Sequence, residues 1–229
     1  MKLTFETSDA APFATPHKRL ERMVFFSDAV FAIAITLLAI EVKLPHGEHG
    51  HGNEPFTWHA LDPVIPTILA WAVSFAVIGS SWRFHSRMCE RFVSADAGLQ
   101  WWNLVRLFFI TIIPFPTAVV QSGGGTRESW MFYVFTLAVS GASELAMWIY
   151  AARKASLVGP LPEVIKRNAG LRMATSPVVF AISGLAAMHS FEAGWISLSV
   201  LMAPSHMIVG RITRKSDEAA MAPGVSVRL

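Results

Sequence analysis

Cysteine is almost missing from this 229-residue chain, and Cys89 stands alone. A single thiol excludes an intrachain disulfide framework and any cysteine-rich zinc or iron–sulfur centre, so Cys89 reads as a structural thiol. Charge is also scarce: Asp, Glu, Lys and Arg make up 15% of the residues, where soluble domains carry about 25%. There is no G-K-T or G-K-S phosphate loop, no TVGYG-like segment and no ladder of arginines. ATP-driven transport, a carbonyl-lined filter and conventional voltage sensing therefore lack their sequence signatures. The first eighteen residues, MKLTFETSDAAPFATPHK, hold no continuous apolar stretch of the kind a signal peptide needs.

What the chain has instead is apolar length. Hydrophobic residues reach 53% and mean hydropathy is +0.45, which points to a bilayer-embedded protein. A hydrocarbon core of about 30 Å needs about 17 to 25 mostly apolar residues per helix. Six such runs are present, at 24–44, 64–82, 104–120, 130–151, 171–188 and 195–212. Pro114, Pro116 and Pro177 fall inside two of them, which bundled membrane helices tolerate. The expected class is an all-α integral membrane protein. Residues 1–21 read as a flexible arm, 22–215 as one six-helix transmembrane domain, and 216–229 as a flexible tail.

Basic residues sort by side. With six spans, Lys43 and Arg127 fall on one face, Arg106 lies within the third span, and the remaining Lys and Arg of the nineteen fall on the opposite face. The positive-inside rule makes that face cytoplasmic, with both termini of this multi-pass chain there. The longest connection on the other face, PHGEHGHGNEPFTWHALDP, carries His46, His49, His51 and His59. Its glycine-rich spacing fixes no ligand geometry, so no metal is assigned.

The densest unexpected polarity opens the first span, where Arg22, Phe26, Ser27 and Asp28 spell R-x-x-x-F-S-D. An acid within a span costs about 2.5–3.5 kcal/mol on insertion scales, so Asp28 needs partners inside the bundle. Trp82 and His85, closing the second span, and Asn103, opening the third, lie at the same depth. Arg22, Ser27, Asp28, Trp82, His85 and Asn103 are accordingly read as a polar clasp, with direct ion binding or proton transfer as the alternative. Further along, Ile33, Thr36, Leu37 and Ile40 recur at helical spacing and form one stripe. Ser27 and Asp28 sit about 130° away from its centre. Ala29, Ala32, Ala34 and Ala39 beside it are small enough for close helix approach. By periodicity alone the stripe is either lipid-facing or packed. Glu144, inside the fourth span, is expected to be paired within the bundle or to relay protons.

These residues carry a resemblance. R-x-x-x-F-S-D followed by AVFAIAITLLAIEV resembles the first helix of the bacterial relatives of the endosomal and lysosomal potassium channel, the transmembrane protein 175 type. W-R-F-H with Trp82 and His85, Asp96, WWNL with Asn103, and PFPT from Pro114 to Thr117 continue it in order. The resemblance implies a homotetramer whose first helices line a central pore. It further implies a constriction at Ile33, apolar layers at Leu37 and Ile40, and hydroxyls from Thr36. The chain shows one copy of the signature, so four chains are expected. The function implied is passive conduction of K+, with no enzymatic activity, no cofactor beyond the permeant ion, and no nucleic-acid partner. A proton-coupled secondary transporter using Asp28, His85 or Glu144 is the competing reading, although no internal repeat is evident. A membrane scaffold without transport is the third.

Overall fold

The structure, a computed structural model, describes residues 15–40, 65–122 and 125–221. Within these the helices are α1 (Pro16–Ile40), α2 (Ile65–Cys89), α3 (Ala97–Ile112), α4 (Pro114–Ser122), α5 (Arg127–Ala152), α6 (Ala155–Val158), α7 (Glu163–Ala187) and α8 (Phe191–Met221). Six stretches are long and apolar enough to cross a membrane, with α3 and α4 acting together as one. The break falls at Ile113, because Pro114 has no N–H to offer the preceding turn. Pro177 does not interrupt α7. It lies against Gly141 of α5, where an added Cβ would stand 3.0 Å from the proline ring, so the missing side chain permits the close approach of the two helices.

The helices outrun their apolar cores. α1 begins at Pro16, so residues 16–21, expected in the flexible arm, are helical. Leu20 and Met23 account for this, because they bury against Met88, Cys89 and Phe92. Residues 216–221 of the expected tail likewise continue α8. There Asp217 accepts from Asn168 Nδ2 at 2.7 Å and from Arg172 Nη2 at 2.6 Å, tying the extension to α7. α2 runs on to Cys89 and α7 starts at Glu163 because their last and first turns leave the apolar layer as amphipathic helix. The histidine-bearing connection and residues 41–44 and 64 at the edges of two apolar runs lie outside the described residues, as do 1–14 and 222–229.

Packing follows a sequence of neighbours: α2 on α1, α1 on α3, α3 on α5, α5 on α7 and α7 on α8. α8 returns towards α2 where His206 stacks on Phe84 with ring centroids 5.7 Å apart. Two apolar clusters fill the interior. One, at the end rich in basic residues, gathers Met23, Met88, Phe92, Leu99, Met147 and Trp148. The other gathers Phe31, Ala34, Leu38, Ile78, Ile110 and Leu137 deeper in the bundle.

Asp96 locks the basic end. It caps α3 by accepting the Leu99 N–H at 2.7 Å, and its second oxygen takes Tyr150 Oη at 2.9 Å and Lys154 Nζ at 2.7 Å. Gly98 makes room, since a Cβ there would overlap the Tyr150 hydroxyl. Partial burial works to raise the Asp96 pKa, but the hydrogen bonds from Lys154, Leu99 and Tyr150 outweigh it and hold the carboxyl below the usual range. The bond that Lys154 donates to Asp96, and a second that it donates to the Tyr150 hydroxyl, hold its ammonium above the usual range. A carboxylate with a lowered native pKa contributes stability above its unfolded value, and that contribution disappears as pH falls through the native one. Thermal unfolding in detergent is therefore expected to steepen on acidification in the native protein, and Asp96→Asn should flatten that part of the pH dependence while lowering stability at neutral pH.

Candidate functional site

α1 has two unlike faces. Leu20, Met23, Ser27, Phe31, Ala34 and Leu38 are buried and fall on one side of the helix. Ile33 is 56% exposed, Leu37 41% and Ile40 65%, and at about 100° per residue they occupy the opposite side. Thr36 shares that exposed side and donates its hydroxyl to the Ile33 carbonyl at 2.9 Å. Arg22 and Phe26 stand below Ile33 on the same exposed side.

The buried face is fixed by hydrogen bonds. Ser27 Oγ donates to the Met23 carbonyl at 2.8 Å within α1, and accepts from Asn103 Nδ2 of α3 at 3.0 Å. Both side chains are buried. Asp28, one residue on, accepts the Trp82 indole N–H of α2 at 2.8 Å. One turn of α1 thus holds α3 with one residue and α2 with the next.

Two members of the expected clasp are placed differently. His85 is buried, but it packs on the Phe31 ring, centroids 5.5 Å apart, and its Nε2 lies 3.6 Å from Cys89 Sγ, with no hydrogen bond to Ser27 or Asp28. The helical period explains this: three residues beyond Trp82, His85 points to the interior side of α2. Arg22 is exposed and makes no hydrogen bond among the described residues. Six residues before Asp28 it lies on the other side of α1, so shared depth did not bring the two together.

A second polar centre carries Glu144 together with Arg106. The Arg106 guanidinium is fully buried, lies 3.2 Å from Glu144 Oε2 and donates to the Ser140 carbonyl at 2.9 Å and to the Ser81 hydroxyl. It also sits over the Phe31 ring, 6.0 Å from its centroid. Phe31 is therefore flanked by a guanidinium and by the His85 imidazole. Pairing is what allows both charges inside the membrane layer. An arginine just inside the start of the third apolar run is the available signal for this partner, but periodicity on one helix does not tell which acid on another will meet it.

The two bonds of the α1 turn differ in burial, and their loss should differ accordingly. Ser27→Ala leaves the Asn103 amide buried without its partner, a loss of about 1–3 kcal/mol. Trp82→Phe removes a bond whose donor is 40% exposed, so its cost should be smaller. Thermal unfolding in detergent should rank Ser27→Ala below Trp82→Phe, and Trp82→Phe below the native protein.

Residues 22–114 match the family described as endosomal/lysosomal potassium channel TMEM175. The chain is 29% identical over 188 residues to a potassium channel of Streptomyces collinus, an alignment covering 73% of this chain and 89% of that one. It is 38% identical over 99 residues to a potassium channel of Chamaesiphon minutus, covering 43% of this chain and 48% of that one. The crystal structure of a lysosomal potassium-selective channel TMEM175 homolog from Chamaesiphon minutus superposes with a TM-score of 0.65 at 23% identity, over 85% of this chain and 98% of that one. A threonine-to-alanine variant of the potassium channel MtTMEM175 superposes with a TM-score of 0.60 at 19% identity, over 90% and 98% of the two chains. The chain is thus similar to the TMEM175 potassium channels, in sequence over residues 22–114 and in fold over most of its length.

Proposed function

We propose that this protein is a potassium-permeable cation channel in which four copies place α1 around a common axis. The observation that carries the reading is the exposure of Ile33, Leu37 and Ile40 on a helix whose other face is fully engaged. Relatives named as potassium channels give the permeant ion. In this arrangement Ile33 forms the narrowest ring, Leu37 and Ile40 add apolar layers, and Thr36 supplies hydroxyls between them. Arg22, on the same side, stands towards the basic mouth. That end faces the cytoplasm by the positive-inside rule, in a bacterial plasma membrane.

Conduction through such a ring is limited by water. A cation at Ile33 must give up part of its hydration shell and meets only methyl groups in exchange, so the barrier depends on side-chain polarity and on the width of the ring. A slight rotation or dilation of four α1 helices would wet it. Ser27 with Asn103 and Asp28 with Trp82 hold the lower turn of α1 and so set the orientation of the stripe. The carrier reading is less well supported, because Asp28, His85 and Glu144 are engaged with Trp82, Phe31 and Arg106 respectively and not gathered at one site.

The test is flux through protein reconstituted in liposomes, in K+ and in Na+, driven by potential alone. Native protein should pass K+ without a proton gradient. Ile33→Asn should raise the current and reduce discrimination, since four amides around the axis ease wetting. Thr36→Ala should reduce K+ over Na+ discrimination more than current. Equal currents and equal ion ratios in all three would remove α1 from the permeation path.

A further inference from the structure

α2 packs on α1 and α4 and leaves a long crevice on its other side, towards α7 and α8. Three cavities follow one another along it, and Phe84 lines all of them. The uppermost, about 320 Å³, is walled mainly by apolar side chains such as Val73, Ala76, Val77, Phe180 and Met202, with the Arg106–Glu144 pair and serines such as Ser81 and Ser140 also on its lining. Below Phe84 lie a cavity of about 100 Å³ lined by Arg87, Arg91 and Arg172 with Met88 and Met173, and a cleft of about 110 Å³ lined by Arg83 and Arg87.

The charge in the lower part is unbalanced. Arg83, Arg87 and Arg91 follow at intervals of four along α2 and the turn after it, and none makes a salt bridge among the described residues. Arg172 is committed to Asp217, and Asp217 also takes Asn168. Arg91 is half-buried, with its guanidinium 5.7 Å from the Trp148 ring centroid. Burial first, and the nearby Arg172 guanidinium second, lower its pKa, and the acids Asp217 and Glu90 offset this only in part. Guanidiniums brought together in this way lack an anion.

The length of the crevice says what kind of anion. From Arg83 to Val73 is ten residues of helix, about 15 Å, which is half of the roughly 30 Å hydrocarbon core. A phosphate alone would use the arginines and leave the apolar walls bare. A molecule with an anionic head and an acyl chain uses both. Val73, Ala76, Ser80, Phe84 and Arg87 lie on a single face of α2, so one helix face presents the whole track. We infer that the crevice between α2 and the α7–α8 pair binds an anionic phospholipid, its phosphodiester held by Arg83, Arg87 and Arg91 and one acyl chain lying past Phe84 against Val73 and Ala76.

Full-length protein, delipidated in detergent, would be titrated with dioleoyl phosphatidylglycerol, with dioleoyl phosphatidylcholine and with inorganic phosphate. Bound lipid is read by native mass spectrometry and stabilisation by thermal unfolding. Phosphatidylglycerol should be retained and should raise the melting temperature, phosphatidylcholine should do so far less, and inorganic phosphate should not replace it. Arg87→Gln with Arg91→Gln should weaken phosphatidylglycerol retention by about thirtyfold, the combined effect of two interfacial arginines. Ala76→Trp, which fills the crevice without touching the charge, should weaken it too and keeps the test open if the double variant fails to fold. Arg211→Gln, on the exposed surface of α8, should change nothing. Equal retention of the two lipids, unchanged retention in the Ala76→Trp variant, or equal protection by inorganic phosphate would overturn the inference.

Discussion

The hydrogen bond between Ser27 of α1 and Asn103 of α3 is the contact on which the functional geometry turns. Both groups are buried; if α1 rotates, Ser27 keeps its bond to the Met23 carbonyl but the Asn103 amide loses Ser27, and the cost of an orphaned amide in an apolar layer opposes any other setting. With Ser27 inward, the helical period places Phe31, Ala34 and Leu38 in the core and leaves Ile33, Leu37 and Ile40 outside it. Asp28 then reaches Trp82 on the other neighbouring helix. The apolar stripe is thus oriented by polar groups a turn or more below it.

Polar groups recur as pairs throughout the bundle, each bridging two helices. Arg106 joins α3 to α5 through Glu144 and Ser140, Asp96 joins the start of α3 to the end of α5, and Arg172 joins α7 to α8 through Asp217. Phe31 lies between the Arg106 guanidinium and the His85 imidazole, so the core face of α1 touches the buried ion pair of α3 and α5. In a bilayer, where apolar side chains gain little by leaving lipid for protein, such pairs together with small-residue contacts such as Gly141 on Pro177 supply much of the specificity of packing.

Much of this was legible in the sequence for a physical reason: a bilayer imposes a length on every apolar run and a sidedness on every basic residue. The six spans, Ser27 and Asp28 as polar groups needing partners, and the Ile33 to Ile40 stripe follow from length, cost and period. The ends of the helices do not, because amphipathic turns such as 16–21 and 216–221 continue beyond the apolar layer, supported by contacts with distant residues. Depth arithmetic set Arg22 and His85 beside Asp28, but depth is one coordinate and rotation about the helix is another; Arg22 lies on the exposed face and His85 on the interior one. The Arg106 pairing with Glu144 depends on how α3 and α5 meet, which neither helix specifies alone.

The proposed assembly stands or falls on whether the exposed face of α1 meets its counterpart in another copy. Cys89 is the only native thiol and is buried, so a Cys89→Ala background permits single-cysteine cross-linking in membranes. Ile33→Cys in that background, treated with a short thiol cross-linker, is expected to give covalent dimers of the chain. Phe135→Cys, on an exposed position of α5, serves as the comparison and is expected to stay monomeric. Monomers from Ile33→Cys with dimers from Phe135→Cys would contradict an axis lined by α1.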